Sequence, residues 1–290
     1  MNFPRVAVLL AAYNGRKWIS EQLTSIIEQL NVTVNIFISV DLSDDGTYEW
    51  CLLQASIYSN IIVLDYGEQF GGAAKNFFRL IHDVDFSGYD YIALSDQDDI
   101  WLGNKLSRGV DTIRRNHLDA FSSDVVAFWE DGKEVLIKKS YPQKRFDYLF
   151  EAAGPGCTYI FTSQSLNQFK FFLNENWQEV NNVSLHDWMI YSYYRSHDMS
   201  WFIDNQALMR YRQHSDNQVG SNSGLRAAVK RLVLIKSKWY SEEVSKITKL
   251  LKSDVNPDLN RWFLIKNIFE LRRRPRDVCV LLLMLVSGFF

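Results

Sequence analysis

The chain has 290 residues, 47% of them hydrophobic and 23% charged, with a formal net charge of −2, enough to bury a full core in one large domain plus an appendage. The charge is uneven: from Arg226 to Asp277 there are 14 Lys or Arg against 6 Asp or Glu, which leaves 18 basic and 28 acidic residues elsewhere. An acidic body argues against a nucleic-acid binder, and a basic segment beside an apolar end suits an anionic membrane surface.

Taken in order, short apolar runs rich in β-formers alternate with segments of helical period through the first half, the pattern of parallel βαβ units. The opening run RVAVLLAA reads as a strand and not as a signal peptide, since it is short and lacks a charged leader. A helix follows in WISEQLTSIIEQL, with Ile19, Leu23, Ile26, Ile27 and Leu30 on one face. Then come the strand TVNIFISV, a helix opening at DDGTYEWCLL, the strand NIIVLD, the helix AAKNFFRLIHDV, the strand DYIALS and the helix NKLSRGVDTIRRN. From about Phe121 the pattern loosens into aromatic-rich strands, a Gly-rich turn AAGPGCTYIF and a helical DWMIYSYYRS. Beyond Gly224 the chain looks wholly helical, interrupted at Pro257 and Pro275, and a boundary is placed near residue 222. No apolar run reaches the roughly 20 residues of a spanning helix. The three cysteines are odd in number and far apart, which excludes a C-x-x-C zinc or redox pair and suits a reducing compartment.

Acidic residues collect where strands end. Asp96, Asp98 and Asp99 follow the fourth predicted strand, and Asp41 and Asp45 follow the second. Ligands of open α/β sheets gather at the carboxyl ends of strands, and a D-x-D spacing suits a hard divalent cation that also holds phosphate oxygens. Taken alone, the cluster reads as well as a solvated, helix-capping loop, and Asp45 has an ordinary explanation as a helix cap.

In sequence order, LLAAYNGRKWISEQLTSIIEQ, VDLSDDGT, FGGAAKNF, LSDQDDIWLGNKL, HDWM and YRQHSDNQVG resemble the motifs of the family 2 glycosyltransferases, most closely their rhamnosyltransferase-like branch in bacterial polysaccharide assembly. The resemblance spans roughly residues 5 to 222 and implies the GT-A fold, a Rossmann-like, mostly parallel sheet flanked by helices, followed here by a helical extension. Two departures stand out. A Pro common before the Tyr-Asn pair is Ala12, and Asp41 alone fills the first acidic pair.

By that resemblance the nucleotide sugar would be bound by Ala12, Tyr13 and Asn14 at the first strand end, by Asp41, by Gly71 and Lys75 at a helix start, by Asp96 and Gln97, and by Arg212 on the diphosphate. Asp98 and His214 would hold Mg²⁺ or Mn²⁺. Asp187 would be the general base that takes the acceptor's proton, although an Asp opening a helix also serves as a cap. Trp188 would stack on the acceptor sugar, with a core Trp as the plain alternative.

The implied reaction is an inverting transfer from a nucleotide sugar, with dTDP-rhamnose the expected donor and a UDP-hexose the runner-up, to a glycan or lipid-linked acceptor at the cytoplasmic face of the membrane. A homodimer is left open. A nucleotidyltransferase would carry a Gly-rich basic loop after its first strand, and AAYNGRKW does not. A membrane-embedded synthase would need spanning helices, and a glycoside hydrolase would leave the nucleoside-type motifs unexplained. A scaffold that has lost turnover would not need Asp98 and Asp187. At the C-terminus, Arg272, Arg273, Arg274 and Arg276 precede 13 mostly apolar residues, read as a membrane-surface helix or, alternatively, as a helix buried against the catalytic body.

Overall fold

The computed structural model describes residues 3–214, 238–251 and 259–288. Strand β1 (Arg5–Ala12) is buried at every position after Arg5, as a central strand covered on both faces must be. Its side chains alternate between two cores: Ala7, Leu9 and Ala11 face one, and Val6, Val8, Leu10 and Ala12 face the other. Parallel to it lie β2 (Thr33–Val40) on one side and β4 (Tyr91–Ser95) on the other, with β3 (Ile61–Val63) outside β2. Helices α1 (Ile19–Ile27), α2 (Thr47–Ile57) and α3 (Ala73–Asp83) make the connections, as predicted, although Leu30 lies beyond α1 and is exposed.

The chain builds outward from β1 to β2 and β3, then returns to place β4 on β1's opposite side. A crevice therefore opens between the carboxyl ends of β1 and β4. A two-residue strand β5 (Ile100–Trp101) and helix α4 (Lys105–Asn116) follow. The seven-stranded sheet is completed by β6 (Ala120–Ser123), β9 (Ile160–Thr162) and β10 (Trp201–Asp204), in the order β10-β6-β9-β4-β1-β2-β3. Because β9 runs antiparallel to β4, pairing Ala93 with Ile160, the Gly-rich turn just before β9 lies at β4's carboxyl end.

A smaller sheet orders β5, β11 (Met209–Arg212), β7 (Val125–Phe128) and β8 (Glu134–Ile137). Strand β11 pairs with β5, Met209 opposite Trp101, and so carries residues 212–214 back to the acidic loop. Helices α5 (Ser163–Glu175), α6 (Trp177–Val180) and α7 (His186–Ser196) pack beside α3.

The predicted boundary near residue 222 lies outside the described residues. Downstream, helices α8 (Trp239–Leu250), α9 (Arg261–Lys266), α10 (Ile268–Leu271) and α11 (Pro275–Ser287) send Val244, Ile247, Leu264, Leu271, Leu281 and Leu285 into the same core as Phe77 and Tyr191. The arginine run departs from its sequence reading. Arg272 and Arg273 turn into the protein, where burial is compensated by Glu151, Asp147 and Asp277, whereas Arg274 and Arg276 are exposed. Among the described residues no helix is long and apolar enough to cross a membrane.

Candidate active site

At the end of β1, Asn14 adopts a left-handed φ of 43°, a conformation Asn tolerates better than most residues. The Asn14 and Gly15 amides donate to Ser43 Oγ at 3.0 Å and Thr47 Oγ1 at 2.9 Å, and Arg16 N donates to Asp45 Oδ2 at 2.9 Å. Asp45 also accepts from Thr47 N at 3.0 Å, so it ties the start of α2 to the first turn. Asn76, buried on α3, donates to the carbonyls of Ala12 at 3.3 Å and Ser39 at 3.1 Å. The first two strand ends are fastened to each other before any ligand arrives.

Asp41, buried, accepts backbone amides from Leu42 and Phe70, both at 2.8 Å, and Gly71 at 3.0 Å. Its carboxylate thus shapes the loop leading into α3, where Gly71 has a φ of 76° and Lys75 is exposed in the first turn. Tyr13 is exposed at the crevice mouth.

Gln97 is held against the turn after β1. Its side-chain amide clasps Tyr13, accepting from Tyr13 N at 2.8 Å and donating to Tyr13 O at 2.7 Å. A Cβ on Gly15 would lie 1.9 Å from Gln97 Oε1, so this clasp requires glycine there. Arg212 is likewise engaged within the protein. It donates Nε to the Asp98 carbonyl at 2.7 Å, pairs with Glu21 and packs on the Phe128 ring. Gln97 and Arg212 are braces for the two loops that form the crevice.

The acidic side is built differently. His214 Nε2 lies 2.6 Å from Asp98 Oδ2, across 116 residues, with its ring stacked on Trp18. It also lines a groove of about 450 Å³ with Trp18, Trp129 and Gln213. Asp99 is fully buried: one oxygen accepts Arg212 N at 3.0 Å and the other has no partner. Burial and the neighbouring charges of Asp98 and Asp96 push Asp99 well above the usual carboxylate range. Burial, then Asp98, pushes Asp96 up to about 7.

Beneath them lies Cys157, whose sulfur falls within 4.8 Å of carboxylate oxygens of Asp96 and Asp99. Burial and these acids hold its thiol well above the ordinary range, so it stays protonated beneath the two carboxyls. Lys105, only 1% exposed, completes the floor. Its Nζ has no hydrogen-bond partner, sits 3.3 Å from the Trp101 ring centroid, and is pushed down to about 7 by burial.

The residues present fit a hard divalent cation. The donors are carboxylates and an imidazole, one buried Asp99 oxygen is orphaned, and burial together with crowded negative charge raises Asp96 and Asp99, which a bound positive charge would offset.

Across the crevice, Asp187 stands in the first turn of α7, at a helix N-terminus. One oxygen accepts Trp188 N at 2.8 Å, and burial pushes the carboxyl up to about 6, with Lys139 opposing. Asp187 in turn adds to the charge that raises Asp96. Beside it, His186 stacks on Phe77, its Nε2 unpartnered, and burial lowers it to about 3. A Cβ on Gly156 would lie 2.3 Å from that nitrogen.

Trp188 corrects the sequence reading: it is 3% exposed, donates Nε1 to Tyr148 O at 2.9 Å and stacks on Tyr240, so it is a core residue and cannot present a face to sugar.

Residues 7–174 match the family model described as glycosyl transferase family 2. The chain belongs to the family 2 glycosyltransferases. It is 45% identical over 289 residues to dTDP-rhamnosyl transferase RfbG of Shigella flexneri, covering 97% of this chain and 100% of that protein. Among solved structures it resembles S. aureus TarS 1-349 in complex with UDP-GlcNAc (TM-score 0.59, 15% identity, 87% of this chain and 68% of that one). It also resembles the mannosyltransferase PcManGT from Pyrobaculum calidifontis, with GDP-Man and Mn²⁺ (TM-score 0.54, 11% identity, 99% and 86%). The GT-A fold expected of this glycosyltransferase is the fold it has.

Several residues of the site carried no motif. Lys139 is held near Asp187 because Asp124 accepts its amide at 2.6 Å. Cys157 sits in a stretch read only as a turn, whose proline and glycines were its one local signal, and Lys105 closes the LSDQDDIWLGNKL motif without having been singled out.

Proposed function

We propose that this enzyme transfers L-rhamnose from dTDP-rhamnose, with inversion, to a hydroxyl of a growing glycan or lipid-linked saccharide in cell-surface polysaccharide assembly. The observation that carries the donor assignment is the identity, along nearly its whole length, to a protein named as a dTDP-rhamnosyl transferase. The chemistry rests on this chain's own groups. Asp187, at about 6, is mostly carboxylate at neutral pH yet basic enough to take a proton. The acceptor oxygen attacks the anomeric carbon, its proton passes to Asp187, and the bond to the diphosphate breaks with its electron pair leaving on the nucleotide. One displacement inverts the centre.

Asp41 and the β1 turn would shape the nucleoside pocket, with Lys75 and the Gly71 loop at its edge. Asp98 and His214 would hold Mg²⁺ or Mn²⁺, which when bound offsets the negative charge gathering on the departing diphosphate.

The enzyme would work at the cytoplasmic face of the membrane, docked by its C-terminal helices. Trp262 and Phe269 are 70% and 73% exposed, Leu283 and Val286 are 68% and 64% exposed, and Arg261, Lys266, Arg274 and Arg276 are exposed among them. Each such basic residue contributes about 1 kcal/mol near an anionic leaflet, and Trp is favoured at the interface. Trp262→Ser with Phe269→Ser should abolish sedimentation with anionic liposomes at low salt. If that variant sediments like the wild type, this face is not the docking surface.

The donor is tested by nucleoside diphosphate release from dTDP-rhamnose, UDP-glucose and GDP-mannose in the presence of lipid-linked saccharide, followed by determination of the product's anomeric configuration. Turnover of UDP-glucose without turnover of dTDP-rhamnose would move the donor assignment to a UDP-hexose. A retained configuration would remove the single-displacement mechanism.

A further inference from the structure

Arg273 comes from the segment between α10 and α11, yet it is 5% exposed and lies behind the helix that carries Asp187. Its backbone amide donates to Glu151 Oε1 at 2.6 Å. Its guanidinium reaches Tyr191 Oη at 3.2 Å, Asp147 Oδ2 at 3.4 Å and Glu151 Oε1 at 3.6 Å, and also donates to the Ala152 carbonyl. Tyr191 is one turn beyond Asp187 on α7 and donates to Asp147 Oδ2 at 3.2 Å. One turn further, Arg195 bonds both Tyr191 Oη, at 2.6 Å, and Asp147 Oδ1, at 3.1 Å. The far end of the same loop returns to the base: Tyr159 Oη donates to Gly154 O at 3.1 Å and lies 3.4 Å from the Asp187 carbonyl. One planar, five-donor group therefore joins three pieces of chain, the C-terminal segment, the 147–154 loop and α7.

We propose that Arg273 is a positioning residue for sugar transfer. Through Tyr191 and the 147–154 loop it fixes where Asp187 stands relative to the acceptor, so the C-terminal segment completes the acceptor side of the active site while the nucleotide side is independent of it. This rests on Asp187 being the general base.

Lysine keeps the charge but cannot reach these partners at once, so Arg273→Lys should lower kcat about 10- to 100-fold, with dTDP affinity changed less than about two-fold. Arg272 supplies the control. It lies in the same segment, is also paired with Glu151, and donates to Phe150 O and Tyr240 Oη, both at 2.8 Å, meeting α7 through the Tyr240 ring on Trp188 and not through a hydrogen bond of its own. Arg272→Lys should keep kcat within about three-fold of wild type. Tyr191→Phe, a gentler change, should reproduce the kcat loss, and adding Arg273→Lys to it should cost little more, since both break one connection.

Equal kcat losses in the Arg272 and Arg273 variants, a loss of dTDP affinity in step with kcat, or wild-type kcat in Tyr191→Phe would each overturn the proposal. Asp187→Asn separates the two readings. If it still transfers sugar, the base assignment fails and this proposal with it. If it is inactive while Tyr191→Phe and Arg273→Lys are normal, only the positioning role fails.

Discussion

The two walls of the crevice handle polar groups in opposite ways. On the nucleotide side, Asp41, Asn14, Asp45 and Gln97 already hold backbone amides, and against burial the hydrogen bonds from Thr47 and Arg16 N lower Asp45. On the acidic side, Asp96, Asp99 and Asp187 are raised by burial, Asp96 and Asp99 also by neighbouring charge, and an Asp99 oxygen has no partner. The first wall is preorganised to hold a shape. The second keeps its carboxyls buried and incompletely paired, which suits the proposed cation on one flank and the proposed proton transfer on the other.

If that contrast is right, the largest losses come from the acidic wall. Asp187→Asn should lower transfer by about 10²–10⁴-fold, the usual worth of a general base, with dTDP affinity retained. Because the free carboxylate is the active form, wild-type kcat/KM should fall as pH drops through about 6, approaching ten-fold per pH unit. A profile flat down to pH 5 would separate Asp187 from proton transfer. Asp98→Asn removes charge at constant size and should cost about 10²–10³-fold in kcat. Its activity should no longer respond to added Mn²⁺, and a normal Mn²⁺ response would take Asp98 out of the cation site.

The nucleotide wall should give smaller, differently shaped effects. Gln97→Ala removes two hydrogen bonds that hold the β1 turn, each worth about 1 kcal/mol net. The expected result is a roughly ten-fold higher KM for donor with kcat little changed. A kcat loss as large as that of Asp98→Asn would mean Gln97 acts in the chemistry and the two walls are not distinct.

What was legible in the sequence was local. The alternating strands and helices, the strand-end acids and the ordered motifs lie within short windows, and β1, β2, β4 and α1 to α4 fall where the periodicity puts them. The surroundings that could not be read were those that come from afar. Trp188 owes its burial to Tyr148 and Tyr240. Arg212 finds Glu21 across 191 residues, and Gln97 finds Tyr13 across 84. Arg272 and Arg273 looked like a membrane-facing cluster because the acids that draw them inward, Asp147 and Glu151, lie about 120 residues away in sequence. A window of sequence shows that a residue is cationic or aromatic. Which partner it meets is set by sheet order and helix packing.

The central claim, that the acidic wall is built to receive a cation, is tested most directly by titrating the full chain with Mn²⁺ calorimetrically at pH 7 in two buffers of different ionisation enthalpy. With Asp96 raised to about 7 and Asp99 well above the usual carboxylate range, cation binding at pH 7 should expel a measurable share of a proton, roughly half or more. Binding with no proton release at pH 7, or no binding at all, would contradict the account.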